Sequence, residues 1–203
     1  MGKIEITKKV LGICATNCYT VVDTETKEAL IIDPADRADV LIRDWKDKGV
    51  TPTTVLLTHG HFDHIGALAG VKKEYPDIKV YAAAEEKEVM ESPALNLSSS
   101  FGAAFTAQAD IYLEDGTEIE VLGRKCKCLL VPGHTKGGMC YYFPEESVVL
   151  SMLSLPAIRC FVIASEERTS RRAMRRLWKM PFVRNYLCFQ MRHSCFRDMM
   201  HRQ

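Results

Sequence analysis

The segment 58–66 constrains this chain more than any other part of the sequence. Three histidines and one aspartate fall within six positions there: His59, His61, Asp63 and His64. The apolar run 55–57 precedes them, and a helix-like pattern follows, so we predict a buried strand, a tight loop and a helix. Neutral imidazole and carboxylate are ligands that suit Zn²⁺ and related divalent ions. Without a metal, four such side chains packed together would repel one another or stay unsatisfied, and we therefore predict a metal site.

The segment resembles the His-x-His-x-Asp-His signature of the metallo-β-lactamase superfamily and matches all six of its positions. The resemblance implies an α/β fold, the αββα metallo-β-lactamase sandwich, with a hydrolytic site for one or two metals. A second stretch, Pro132-Gly133-His134-Thr135 followed by two glycines, is similar to the next ligand motif of the family. A lone histidine in a loop would not indicate a ligand by itself. The motif around His134 is what makes it a candidate.

The resemblance also implies a role for each of these side chains. His59, His61 and His134 would hold one metal with a coordination position left open, the arrangement of catalytic zinc, which lowers the pKa of its bound water to about 7. Asp63 and His64 would face a second metal. Asp63 would also orient the attacking hydroxide and receive its proton, as its counterpart does in the family.

Three short motifs bring the chain nearest to the small glyoxalase II-like hydrolases: Thr16-Asn17-Cys18-Tyr19, Ile32-Asp33-Pro34 and Pro132-Gly133-His134-Thr135. This resemblance implies a small-molecule thioester substrate such as hydroxyacyl-glutathione. It implies Zn²⁺, one or two ions, with Fe or Mn as alternatives. A related branch of the family uses one iron to oxidise glutathione persulfide, so a persulfide dioxygenase-like activity is an alternative.

The order of the elements also favours the sandwich. An edge strand at 3–9 and a hairpin of strands at 18–23 and 29–33 come first, and a helix at 38–45 follows. The turn Glu114-Asp115-Gly116 predicts a second hairpin, between strands at 111–113 and 118–121. We read 92–108 as a mobile segment over the site. Many short strands with a few helices between them predict two packed sheets with helices outside.

Length and composition exclude several classes of protein. The chain has 203 residues and a formal net charge of +1, so its overall charge does not indicate a nucleic acid partner. No apolar run reaches the roughly 18 residues of a membrane span, and the first twenty residues lack the apolar core of a signal peptide. We therefore expect a cytoplasmic protein, no membrane partner and free thiols at the eight cysteines.

The composition changes near residue 151. Residues 152–203 contain 10 of the 13 arginines and 6 of the 9 methionines, and their net charge is +8 against −7 for residues 1–151. Such different halves rarely form one compact domain. We predict a metallo-β-lactamase-like domain at 1–151, a basic atypical tail at 152–203, and a fold that is incomplete at its C-terminus.

Two family motifs are missing from the tail. After its next strand the family requires Gly-Asp-x-Leu-Phe, whose Asp bridges the two metals, but this chain reads Ser151-Met152-Leu153-Ser154-Leu155. A final Gly-His is also absent, because neither His193 nor His201 follows a glycine. When each codon is read from the last base of its predecessor, back-translation permits Asp-Ala-Leu-Phe-Ala and Gly-His-Asp-Ala at the corresponding places. We therefore hypothesise a frameshifted tail and a hydrolase that is impaired by the lost ligands.

A second interpretation of the chain stays open. It is a non-catalytic metal-binding domain whose tail arginines, such as those at 168–176, bind an anionic partner such as RNA or lipid headgroups. Salt-dependent binding of nucleic acid would favour this interpretation. Thioester turnover would favour the hydrolase.

Overall fold

The structure is a computed structural model that describes residues 2–145 and 148–150. Within these residues, ten strands form a six-stranded and a four-stranded sheet, each in the chain order of its members. The first sheet contains β1 (Ile4–Leu11), β2 (Thr16–Asp23), β3 (Glu28–Ile32), β4 (Thr51–Leu56), β5 (Lys79–Ala83) and β6 (Ile111–Leu113). The second contains β7 (Glu118–Val121), β8 (Arg124–Leu130), β9 (Met139–Phe143) and β10 (Val148–Leu150). The α-helices are α1 (Ala38–Asp47), α2 (Phe62–Ile65), α3 (Leu68–Glu74) and α4 (Lys87–Glu91).

The central strand β3 shows how the layers are packed. Its residues 29–32 are all fully buried, and successive side chains point to opposite faces. Ile31 joins a core that includes Leu41 and Trp45 of α1, whereas Leu30 joins a core that includes Cys128 and Tyr141 of the second sheet. A strand covered on both faces reads as a continuous apolar run, as this one does. The helix, sheet and sheet layers agree with the predicted sandwich.

The strands preceding the site follow the sequence predictions closely. The edge strand and the first hairpin are confirmed, because β1 lies at the sheet edge and β2 pairs antiparallel with β3. Strands β3, β4 and β5 are then parallel neighbours. Their C-terminal ends therefore meet at one edge of the sheet, where side chains from separate loops can converge.

The predicted hairpin around Glu114-Asp115-Gly116 is wrong. Its two strands belong to different sheets, since β6 pairs in parallel with β5 and β7 pairs antiparallel with β8. The turn forms, but the amide of Gly116 donates to the carbonyl of Cys128 on β8 (2.8 Å) instead of closing a two-stranded ribbon. The apolar residue Leu113 reaches the core between the sheets. The segment thus crosses from one sheet to the other.

A buried ion pair connects the two sheets away from the site. Arg124 of β8 donates to the carboxylate of Asp23 at the end of β2 (2.8 Å), and both side chains are almost fully buried. The same guanidinium donates to the carbonyl oxygens of Leu122 and Gly2. The hydrogen bond from Arg124, with two backbone amides, lowers the pKa of Asp23 from 3.8 to about 2.

This pair predicts an acid-dependent loss of stability. The pKa of Asp23 is lower in the folded than in the unfolded chain, so its contribution is complete above about pH 4 and is lost as the pH falls towards 2. Asp23→Asn should lower stability at neutral pH and make it less dependent on pH between about pH 5 and pH 3. Urea unfolding at the two pH values checks this. Equal pH dependence in both proteins would contradict it.

Candidate metal centre

The motif loop lies where β4 leaves the first sheet. Strand β4 ends at Leu56, and the loop places His59 in the interior and His61 at a half-buried position. Helix α2 begins directly after His61, so Asp63 and His64 project from its single turn. The predicted order of strand, loop and helix is confirmed.

The structure brings His59, His61 and His134 together. One ring nitrogen from each lies within 4.8 Å of the other two, and His61 Nδ1 is 2.9 Å from His134 Nε2. Two nitrogens on a tetrahedral zinc with bonds of about 2.0–2.1 Å are about 3.3 Å apart, which is close to this spacing. His134 is exposed and comes from the loop between β8 and β9, 73 positions after His61.

Two further observations show that these residues fit a metal. His59 Nε2 is buried and has no hydrogen-bond partner within the described residues. Burying an unsatisfied polar atom costs free energy, and a metal ion bound to this nitrogen would remove that cost. Burial and the neighbouring histidines hold the pKa of His59 well below its usual value and lower that of His61 to about 4. Both rings are therefore neutral near pH 7, the form in which imidazole binds metal.

Asp63 and His64 lie beside this cluster but are not part of it. His64 Nδ1 is 2.8 Å from Asp33 Oδ2, and its Nε2 is 3.4 Å from Asp63 Oδ2. Burial disfavours the charged ring, but the two aspartates outweigh burial and raise the pKa of His64. Within the described residues, His59, His61 and His134 form the only group of three or more potential ligands that converge on one point. Of the residues predicted for a second metal, Asp63 and His64 thus lie in the described part of the chain.

Asp33 supports both halves of the loop, a role that the sequence interpretation missed. Its two oxygens accept from the amide (2.8 Å) and the hydroxyl (2.6 Å) of Thr58, and Oδ2 also contacts His64. Thr58 Oγ1 in turn lies 3.2 Å from His59 Nδ1, which directs His59 Nε2 to the cluster. Carboxylates in this position fix the orientation of ligand imidazoles. The signal in the sequence was the acidic residue that directly follows the apolar run of β3.

Two cavities open beside the cluster. The larger, about 630 Å³, is lined by His61 and His134 and by Val89, Leu95 and Lys136. The smaller, about 230 Å³, lies on the side of Asp63 and has aromatic walls, with Phe62 stacked on Phe101 at 4.4 Å between ring centroids. Phe101 belongs to the predicted mobile segment 92–108, which does lie beside the site. Its mobility stays a prediction.

The positions at which the family carries its two further motifs lie outside the described residues. Residues 151–155, His193 and His201 all fall there, as does the predicted tail at 152–203. The absence of the bridging aspartate therefore rests on the sequence.

Comparison with known proteins decides the family. The sequence profile of the metallo-β-lactamase superfamily matches residues 11–151. The chain belongs to this superfamily. The match includes every residue of the two ligand motifs, and the fold and site geometry agree with it. The chain is thus a member of a superfamily of metallo-hydrolases, and its three histidines form a candidate metal site.

Relatives in the superfamily carry hydrolase names. A probable metallo-hydrolase, YqgX of Bacillus subtilis, is 35% identical over 143 residues, which are 70% of this chain and 66% of that protein. A hydroxyacylglutathione hydrolase of Synechococcus is 30% identical over 127 residues, which are 63% of this chain but 43% of that protein. The chain therefore matches from less than half to about two thirds of these relatives' own lengths.

A solved structure confirms the fold. The BLEG-1 B3 metallo-β-lactamase superimposes with a TM-score of 0.71 at 29% identity, over 92% of this chain and 85% of that one. Within the described residues, no helix has the length and apolar character that crossing a membrane requires. The cytoplasmic location expected from the sequence stays a prediction.

Proposed function

We propose that this superfamily member hydrolyses thioesters of small molecules, hydroxyacyl-glutathione among them, with a metal held by His59, His61 and His134. The observation that carries the proposal is the cluster itself: three converging imidazoles, two of which line the larger cavity, with Asp63 on the wall of the smaller one. The resemblance of the motifs to glyoxalase II-like enzymes and the 30% identical hydroxyacylglutathione hydrolase support this substrate class.

The metal supplies two functions when bound, a water of lowered pKa and polarisation of the substrate carbonyl. In this proposal Asp63 takes the proton from the attacking water. Its Oδ2 accepts a hydrogen bond of 2.5 Å from Thr16 Oγ1, which fixes the carboxylate. Its other oxygen, Oδ1, would accept from a water at the cluster. A positioned carboxylate of this kind acts as general base.

The two cavities would hold the two halves of a thioester. The smaller cavity, with its aromatic walls next to Asp63, suits an acyl group, because an apolar lining binds an uncharged group better than a charged group. The larger cavity carries Lys136, Glu85 and Glu88 and suits a polar carrier such as glutathione. The scissile carbonyl would then lie over the histidines, between the two cavities.

The identity of the metal belongs to the proposal. Three imidazoles suit zinc, but imidazole also binds iron, so iron and manganese remain alternatives to zinc. A protein purified with iron would favour the persulfide dioxygenase-like activity. A protein that binds metal without turnover would favour the second interpretation, in which the basic tail binds an anionic partner.

The test is turnover by the zinc-loaded full chain. Release of free thiol from S-lactoylglutathione should depend on zinc, and Asp63→Asn should lower it by about 10²–10⁴, the usual contribution of a general base. Asp77→Asn removes an exposed carboxylate that lines neither cavity and serves as control. A chromogenic β-lactam and oxygen uptake with glutathione persulfide test the other activities. Turnover of either of these in place of the thioester would contradict the proposal, as would full activity in Asp63→Asn.

A further inference from the structure

The side chain of Glu86 is fully buried next to the metal centre. It follows strand β5, the parallel neighbour of the strand that leads to the histidine motif, and 0% of the residue is exposed. Charged residues are almost never fully buried unless they are paired. No lysine or arginine of the described residues forms an ion pair with it. Its carboxylate needs another explanation.

Both carboxylate oxygens bind backbone amides of the ligand loops. Glu86 Oε2 accepts from the amide of Gly60 (2.7 Å), which lies between His59 and His61. Glu86 Oε1 accepts from the amide of Gly137 (2.8 Å), three positions after His134. One side chain therefore joins the loop of the first sheet to the loop of the second sheet.

The Glu86 side chain occupies the space where Gly60 and Gly137 lack a Cβ atom. A Cβ on Gly137 would lie 2.6 Å from Glu86 Cγ and 2.9 Å from its backbone nitrogen. A Cβ on Gly60 would lie 3.1 Å from Glu86 Oε2 and 2.7 Å from Met90. A Cβ at Gly137 would displace the Glu86 side chain, and a Cβ at Gly60 would displace Met90 and crowd the carboxylate. Both loops thus lack a side chain at the point where Glu86 enters.

We propose that Glu86 is a positioning residue that holds the two ligand loops at metal-binding distance. His61 and His134 come from loops 73 positions apart, yet their ligand nitrogens are 2.9 Å apart. The sheets are also joined by hydrogen bonds from the Met139 amide to the Thr58 carbonyl and from Tyr141 Oη to the Leu57 carbonyl. Those bonds tie the strand ends, whereas Glu86 ties the loops themselves. The proposal rests on the metal site but not on the substrate.

Glu86→Gln tests this without changing the size of the side chain. An amide offers one acceptor oxygen, so one of the two loop contacts is lost and an N–H faces an N–H. Zinc affinity, measured by chelator competition, should fall by about 10–100-fold, the usual effect of losing an outer group that orients ligands. Glu120→Gln makes the same charge change at an exposed site on β7 and should leave the affinity unchanged.

A second readout separates positioning from general destabilisation. The visible spectrum of the Co²⁺-loaded protein reports ligand geometry, and in Glu86→Gln we expect its bands to shift and weaken. Gly137→Ala keeps the carboxylate but pushes it out of place, and it should act in the same direction. If either folded variant has wild-type zinc affinity, or weaker affinity with an unchanged Co²⁺ spectrum, the proposal is wrong. Neither readout depends on thioester turnover, so failure of the proposed function would not imitate this result.

Discussion

Replacing His134 by alanine is expected to lower zinc affinity by at least about 100-fold, more than the loss of an outer group does, and to remove thioester turnover. The reason is geometric. Of the three predicted ligands, His134 is the one that comes from the second sheet, and its nitrogen lies 2.9 Å from His61 Nδ1. Without it the described residues offer two imidazoles at that point, too few for a catalytic zinc site. Chelator competition and thiol release measure the two effects.

The tail histidines supply a matched control for this variant. His193→Ala and His201→Ala remove the same side chain from the region without family motifs. We expect both to keep the zinc affinity and activity of the parent chain. Turnover that survives in His134→Ala but disappears in either tail variant would show that the tail supplies the ligands.

Restoring the tail should have the second large effect. We propose that residues 152–203 are the product of a shifted reading frame, and the family profile ends at residue 151. A chain that carries the shifted-frame sequence regains a bridging aspartate and a Gly-His. Each lost stabiliser of the developing charge typically costs about 10²–10³ in rate. Thioester turnover should therefore rise by at least that factor, and metal content should approach two per chain.

The control for the restored chain is its own bridging aspartate changed to asparagine. This variant should return to the low activity of the present chain. If the present chain already turns over S-lactoylglutathione as fast as the restored one, the impaired-enzyme hypothesis is wrong. The site would then need only what residues 1–151 provide.

The sequence predicted those parts of the site whose signal is local. His59, His61, Asp63 and His64 fall within six positions after an apolar run, so strand and loop had to place them together. His134 carried a weaker signal, because a single histidine acquires meaning only from the glycines around it. The structure brings it to the cluster, and its ligation stays a prediction.

Contacts between distant segments were not predictable in this way. Glu86 is one of the chain's many acidic residues, and nothing beside it in the sequence indicates that the amides of Gly60 and Gly137 surround it. The false hairpin at 111–121 has the same cause. A turn motif specifies a reversal of the chain, but it does not specify which strand each arm then pairs with, since that depends on burial between the sheets.

The direct test of the central claim is the zinc content of the purified full chain after exhaustive dialysis, measured by elemental analysis beside His134→Ala. Three histidines complete one site, whereas the second keeps Asp63 and His64 among the described residues. The account predicts close to one zinc per chain for the parent protein and far less than one for the variant. Two zinc ions per parent chain, or equal content in the two proteins, would contradict it.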